Sequence, residues 1–175
     1  MEDTLFILYN YCNLNNIDTS YFIIAGSYAA KLGNYFLINN PKDIDILFIK
    51  EHSPTLKNKN CKSIDIITKN FVPVDFMNRI QFKDGFYFLS AEDLLWTEFL
   101  SWACRGERAN YKLYYIDELL KYLNMTAKEY FDKFFKIKWN ELPEEIKQRY
   151  YLWLKTEDVP LFLYEKYINI RKELK

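Results

Sequence analysis

Carboxylates in the first half of the chain are spaced as a divalent metal ion requires. Asp43 and Asp45 are separated by one residue in the run Asp-Ile-Asp-Ile. Side chains at positions i and i+2 of a strand lie on the same face, so these two carboxylates are expected to be neighbours. Two ionised carboxylates repel each other unless a cation lies between them, and Mg²⁺ prefers oxygen ligands. The pair therefore predicts a metal-binding strand.

A third carboxylate from a neighbouring strand would complete a two-metal site, and two residues qualify. Asp65 lies in the apolar run Ile-Asp-Ile-Ile, whereas Asp75 follows Pro73 in Val-Asp-Phe-Met, in a strand or at the start of a helix. The strand pattern favours Asp65, and Asp75 stays the alternative. In such a site one ion activates the attacking oxygen and the other holds a triphosphate.

Gly26 and Ser27 end a short apolar run and open the next segment. A Gly-Ser pair at the end of a strand, opening a helix, can offer backbone N–H groups and a hydroxyl to phosphate oxygens. Gly-Ser alone is common in turns, and Asp-x-Asp alone fits an exposed strand face. Their order along the chain, each beside an apolar strand, predicts a phosphate site next to a metal site.

Hydrophobic periodicity predicts the elements that must position these residues. Strands are predicted over residues 21–25, 43–49, 62–68 and 85–89. Helices are predicted over residues 4–16, 28–38 (with Leu37 turned inward), 110–123, 127–137 (capped by Thr126) and 159–174, with others starting at Ser90 and Leu142. The strand-rich half followed by a helical half predicts an α+β protein. We expect an α/β core over 1–90 and a helical part over 91–175, packed together as one compact unit.

Composition excludes several classes of function. The 175 residues carry 24 basic and 24 acidic side chains, which argues against a generic polyanion binder. The single histidine, His52, is expected to be solvated, and the three cysteines form no C-x-x-C pair, so a zinc ribbon or finger is excluded. No apolar run is long enough for a membrane span, and the N-terminus lacks a basic region before its apolar stretch. We expect a cytoplasmic protein with free thiols.

The run Phe-Ile-Ile-Ala-Gly-Ser over 22–27, followed by Asp-Ile-Asp-Ile over 43–46, resembles the signature of the DNA polymerase β-like nucleotidyltransferase superfamily. The small stand-alone bacterial and phage members are the most similar, including the minimal nucleotidyltransferases and the abortive-infection and toxin–antitoxin types. The stretch Phe-Leu-Ser-Ala-Glu-Asp-Leu-Leu over 88–95 resembles the strand-to-helix junction of these proteins. Arg105, Lys112 and Asp117 are loosely similar to the pattern of their next helices.

The resemblance implies a nucleotidyltransferase fold: a short mixed β-sheet flanked by helices, with a C-terminal helical bundle. It implies transfer of a nucleoside monophosphate from a nucleoside triphosphate (NTP) to an acceptor hydroxyl, with release of pyrophosphate. Two Mg²⁺ (or Mn²⁺) ions would be held by Asp43, Asp45 and Asp65. Gly26, Ser27 and Arg105 would bind the nucleotide. The alternative for Arg105 is that it simply lies on a solvated face of its helix.

Two alternatives stay open beside this enzyme. One is a catalytically inactive nucleotidyltransferase-fold module that binds a protein partner, of the defence or toxin–antitoxin type. The other is an RNA 3′-end nucleotidyltransferase, which the neutral charge balance disfavours. The acceptor can be a protein hydroxyl, an RNA end or a small molecule. Tyrosines at helical spacing in the second half can stack on a base but more often belong to a core, namely Tyr111, Tyr114, Tyr115 and Tyr122.

Overall fold

The computed structural model describes residues 4–38, 41, 43–49 and 64–174, and His52 and Cys61 lie outside these residues. The chain divides into two units. The first comprises the described residues up to Lys69 together with Asn78–Ser90, and the second comprises Asn70–Met77 and the described residues from Ala91 onwards. Each unit is a separate cluster of secondary structure, so each is described by itself.

The first unit contains a five-stranded mixed sheet and two helices. Its helices are α1 (Thr4–Asn15) and α2 (Gly26–Gly33). Its strands are β1 (Phe22–Ala25), β2 (Ile44–Phe48), β3 (Ile64–Ile67), β4 (Gln81–Lys83) and β5 (Phe86–Phe88). The strand order is β3-β2-β1-β5-β4. Antiparallel pairs join β1 to β2 and β4 to β5, whereas β1–β5 and β2–β3 are parallel.

The central position of β1 explains why its sequence is continuously apolar. All four residues of this strand are buried, because β2 and β5 flank it and both of its faces are covered. The predicted strands over 21–25, 43–49 and 85–89 are confirmed, as is the described part of the strand over 62–68. Strand β4 was not predicted, although the Asp84-Gly85 turn that joins it to β5 is a common hairpin sequence.

The predicted helix over 28–38 is wrong at both ends. Helix α2 already begins at Gly26 and ends at Gly33, where Asn34 adopts a left-handed conformation with φ of 53° and terminates it. Leu37 therefore lies beyond the helix and is 87% exposed rather than turned inward. Apolar residues continue at helical spacing beyond Asn34. The left-handed backbone of Asn34 nevertheless ends the helix, and the sequence pattern did not reveal this.

The second unit is helical. Its helices are α3 (Ala91–Arg105), α4 (Lys112–Tyr122), α5 (Ala127–Tyr130), α6 (Lys136–Glu141), α7 (Glu144–Leu154) and α8 (Val159–Glu173). A π-helical turn, Phe131–Phe135, joins α5 to α6. Aromatic side chains fill the core of this unit; Trp96, for example, stacks on Phe135 with a centroid distance of 4.3 Å. The protein is thus α+β with a C-terminal helical region, as the periodicity predicted.

Thr126 caps α5 as predicted, through a reciprocal capping box. The hydroxyl oxygen of Thr126 accepts a hydrogen bond from the N–H of Glu129 at 3.2 Å, and Glu129 Oε2 accepts one from the N–H of Thr126 at 2.9 Å. These two bonds satisfy backbone donors that the first turn of a helix leaves unpaired.

We expect Thr126→Ala to lower the free energy of unfolding by about 1 kcal/mol, because the cap is lost. For a chain of this size the melting temperature should fall by about 2–4 °C in a thermal unfolding experiment. Thr68→Ala is the matched control, since Thr68 is an exposed threonine outside the helices. Equal melting temperatures for the two variants would contradict the role of the cap.

Candidate functional site

The carboxylate of Asp45 lies directly against the backbone of Gly26. In the β1–β2 ladder Asp45 is paired with Ala25, the residue before Gly26. A Cβ atom on Gly26 would lie only 1.8 Å from Asp45 Oδ2, and Gly26 has a positive φ of 58°. Any larger residue at position 26 would both strain the backbone and displace the carboxylate. Gly26 and Asp45 therefore form one local structure.

Asp65 is the register partner of Asp45 on the neighbouring strand. The two residues are paired in the parallel β2–β3 ladder, so their side chains project from the same face of the sheet. Asp43 lies one residue before β2 and is half-buried, whereas Asp65 is exposed. The sheet thus pairs a carboxylate from each of two strands, and Asp43 lies just before one of these strands.

The N-terminus of α2 adjoins this carboxylate pair. Its N-cap residue is Ala25, which has no side chain that could cap the first N–H groups. These donors and the helix dipole favour an anion, and the partly exposed Ser27 adds a hydroxyl. Helix α2 is held at its other end by Lys83, whose ammonium donates to the carbonyl oxygen of Leu32 at 2.9 Å. The far end of α2 is thus bonded to β4, whereas its start follows directly from β1, the strand paired with β2.

Asp75 lies in neither of the predicted elements. It occupies a turn after Pro73 that leads into a short 3₁₀ helix, Phe76–Asn78. Its Oδ2 atom is 2.8 Å from Lys138 Nζ. The hydrogen bond to Asp75 is the main cause that raises the pKa of Lys138 above its ordinary value. Because Asp75 neutralises a lysine of its own unit, the backbone and the charges both favour Asp65 as the third carboxylate.

The three residues of the helical half that resemble the family pattern have different surroundings. Arg105 is the exposed last residue of α3 and belongs to the second unit, so its role toward the nucleotide stays a prediction. Lys112 Nζ lies 2.6 Å from Oε2 of the buried Glu98. Asp117 accepts hydrogen bonds from Tyr167 and Arg171. The last two side chains are thus engaged in ion pairs within the helical unit.

The expectation that the tyrosines of α4 belong to a core is wrong for three of them. Tyr111, Tyr114 and Tyr122 are 57%, 52% and 50% exposed, and Tyr115 is half-buried. The buried face of α4 is formed instead by Leu113, Ile116, Leu119 and Leu120. The tyrosines recur at helical spacing as well, but on the exposed face of the helix. The sequence pattern alone did not show which of the two faces is buried.

Cysteine chemistry is disfavoured at the described thiols. Cys12 and Cys104 are both free. Burial raises the pKa of each thiol to about 11, so both stay protonated at neutral pH and are poor nucleophiles. Cys12 is a small core residue, only 3% exposed.

No family model, curated protein or solved structure matches this chain. Within the described residues, no three His, Cys, Asp or Glu side chains are grouped closely enough to hold a metal ion. In the same part of the chain, no helix is long and apolar enough to cross a membrane.

An oxygen-only donor set of this kind is nevertheless compatible with Mg²⁺. This ion is usually held by one or two carboxylates together with substrate phosphates, rather than by a cage made only of protein. Asp45 and Asp65 supply two carboxylates from adjacent strands, and the start of α2 supplies donors for phosphate beside Asp45. The residues therefore fit a metal that arrives with its substrate.

Sequence reasoning missed the contact between Gly26 and Asp45, because no local pattern reports a contact across two strands.

Proposed function

We propose that this protein is a metal-dependent nucleotidyltransferase of the DNA polymerase β-like superfamily, with the corresponding fold. It transfers a nucleoside monophosphate from an NTP to an acceptor hydroxyl and releases pyrophosphate. The observation that carries the proposal is the contact of the Asp45 carboxylate with Gly26 at the start of α2, with Asp65 in register on the next strand. This arrangement puts oxygen ligands for a metal beside donors for a phosphate.

In this proposal each residue of the first unit has one task. Asp43 and Asp45 bind two Mg²⁺ (or Mn²⁺) ions, and Asp65 binds one of them and accepts the proton of the acceptor hydroxyl. The N–H groups at the start of α2 and the Ser27 hydroxyl bind the β- and γ-phosphates. Arg105 is assigned to nucleotide binding by the resemblance alone. The ions neutralise charge on the triphosphate, so that catalysis is mostly positioning and electrostatic stabilisation.

The acceptor in this proposal is a protein, an RNA end or a small molecule, and the reaction takes place in the cytoplasm. The free, protonated thiols of Cys12 and Cys104 support a reducing compartment.

A thermal-shift panel tests nucleotide binding without knowledge of the acceptor. The four NTPs are each added with Mg²⁺ or with EDTA, to the wild type and to the Asp43→Ala/Asp45→Ala variant. Because only ligands that bind the native state raise its stability, we expect at least one NTP to raise the melting temperature in a Mg²⁺-dependent way. The double variant should show no such shift. The absence of any shift with every NTP at millimolar concentration would overturn the proposal.

The choice between Asp65 and Asp75 gives a separate prediction. We expect Asp65→Asn to lower the transfer rate by about 100-fold, since the variant lacks a charge that stabilises the transition state. Asp75→Asn should leave the rate nearly unchanged and destabilise the protein by about 1 kcal/mol, because it weakens the ion pair with Lys138. The transfer rate is measured as incorporation of label from an α-labelled NTP into acceptors in a cell extract. The reverse order of rates would reassign the third carboxylate to Asp75.

A second candidate is a binding module with this fold and no catalysis. It is favoured by the finding that no three potential metal ligands are grouped among the described residues. A module of this kind would keep its melting temperature in every NTP and would form a complex with a protein partner. The thermal-shift panel therefore distinguishes the two candidates directly.

A further inference from the structure

A cavity of about 790 Å³ lies within the helical unit, between α4 and the second half of α8. Binding pockets for small molecules have volumes of about 300–1,000 Å³, so a molecule of nucleotide size fits. Its lining includes two aromatic, two basic and three acidic side chains, namely Tyr111, Tyr114, Lys166, Arg171, Glu107, Asp117 and Glu173. No residue proposed above for nucleotide transfer lines it.

The inner wall of the cavity is a fixed network of paired charges. Arg171 Nε donates to Asp117 Oδ1 at 3.1 Å, and an Arg171 terminal nitrogen donates to Oδ2 of the same carboxylate. Another hydrogen bond joins Arg171 to the carbonyl oxygen of Leu113 at 3.0 Å, and the Tyr167 hydroxyl donates to Asp117 Oδ1 at 2.6 Å. Because these charges neutralise each other, this network offers little net charge to a ligand.

Lys166 is the cation in the cavity that has no acidic partner among the described residues. Its Nζ atom lies 4.7 Å from the ring centroid of Trp102 and 5.9 Å from that of Phe162, and it forms no ion pair with a described carboxylate. Burial lowers the pKa of Lys166 below its ordinary value. A partly desolvated ammonium of this kind is stabilised by an anion that enters the cavity.

Aromatic rings form the outer wall. Tyr111 and Tyr114 are more than half exposed, and Tyr115 contacts both of them with ring centroids 6.0 and 5.9 Å away. Flat, exposed tyrosines are suitable surfaces for stacking a planar base, whatever its identity. The carboxylates of Glu107 and Glu173, which also line the cavity, can accept hydrogen bonds from exocyclic amino groups.

We propose that this cavity binds a nucleoside monophosphate unit, with its base stacked on Tyr111 and Tyr114 and its phosphate paired with Lys166. A base and a phosphate together match the two features that the cavity combines, a tyrosine surface and an unpaired ammonium. The carboxylates on the lining favour bases with an amino group, so UMP should bind most weakly of the four monophosphates. The unit can be a free nucleotide or the end of an RNA strand.

The test is a titration with AMP, CMP, GMP and UMP in EDTA, followed by ligand-observed NMR. EDTA removes the metal on which the proposed transferase site depends, so failure of one proposal does not imply failure of the other. We expect Tyr111→Ala, Tyr114→Ala and Lys166→Met each to weaken binding by about tenfold. Lys166→Arg should restore binding, because it keeps the positive charge.

Two matched controls lie on α4 but outside the cavity. Tyr122 is 50% exposed, and the Lys121 side chain is 80% exposed. Tyr122→Ala and Lys121→Met should therefore bind like the wild type. A short RNA oligonucleotide that binds more tightly than any monophosphate would identify an RNA end as the source, and equal affinity would identify the free nucleotide.

Three outcomes would overturn the proposal. The first is no saturable binding of any monophosphate at millimolar concentration. The second is unchanged binding in Tyr111→Ala and Tyr114→Ala. These two variants test the proposal even where Lys166→Met fails to fold. The third is an equal loss of affinity in Tyr122→Ala and Tyr111→Ala, because Tyr122 does not line the cavity.

Discussion

Replacing Asp45 by Asn is expected to lower the rate of nucleotide transfer by about 10³-fold, the usual loss when one preorganised electrostatic group is removed from a reaction site. Asn has the same shape as Asp, so the contact with Gly26 is preserved while the negative charge is lost. The rate is measured as incorporation of label from an α-labelled NTP into a cell extract. The Mg²⁺-dependent thermal shift with NTP should disappear in the same variant.

The stability of this variant should change very little. In EDTA the carboxylates of Asp45 and Asp65 occupy paired positions on adjacent strands, and like charges at such positions repel. Removing one charge relieves this repulsion, and Asn keeps the shape of Asp and one of its acceptor oxygens, so the melting temperature should stay close to that of the wild type. Asp84→Asn is the control, because Asp84 lies in an exposed turn with φ of 52°, which Asn adopts readily. The expected loss of rate in Asp45→Asn is about 10³-fold. A transfer rate within about threefold of the wild type would therefore rule out the proposed role of this carboxylate.

Gly26→Ala should destabilise the protein by about 3 kcal/mol, the sum of backbone strain and the displacement of a side chain. The φ of Gly26 is 58°, which an L-residue adopts only at a cost, and the new Cβ would lie 1.8 Å from Asp45 Oδ2. The carboxylate must move, so we expect the transfer rate to fall by about 100-fold as well. Thermal unfolding and the transfer assay measure the two effects separately.

Gly106→Ala separates the two contributions to the loss of stability. Gly106 also has a positive φ, of 65°, but nothing lies within 4 Å of the Cβ that this variant would add. It should therefore lose only about 1–2 kcal/mol, the cost of the backbone conformation. Asp45→Ala in the Gly26→Ala background removes the atoms that clash, so the two substitutions should be less than additive. Equal losses for Gly26→Ala and Gly106→Ala would show that the contact with Asp45 has no energetic consequence.

Local sequence was sufficient to predict most of the elements and the α+β class. Thr126 and Glu129 are three residues apart and cap a helix through their own backbone, so the helix start could be predicted from the chain alone. The buried strand before Gly26 is equally apparent, because a central strand that is covered on both faces must be continuously apolar. The end of α2 could not be predicted, since it depends on the left-handed conformation of Asn34.

The sequence by itself determined that Asp45 lies in a strand and that Asp43 lies beside it along the chain, because the apolar residues around Asp45 recur with the period of a strand. Only the tertiary structure decided that Asp65 is the partner of Asp45 and that Asp75 is instead paired with Lys138. Register between strands and ion pairs between distant elements join residues tens of positions apart. Such contacts arise when the whole unit packs, so no local pattern encodes them.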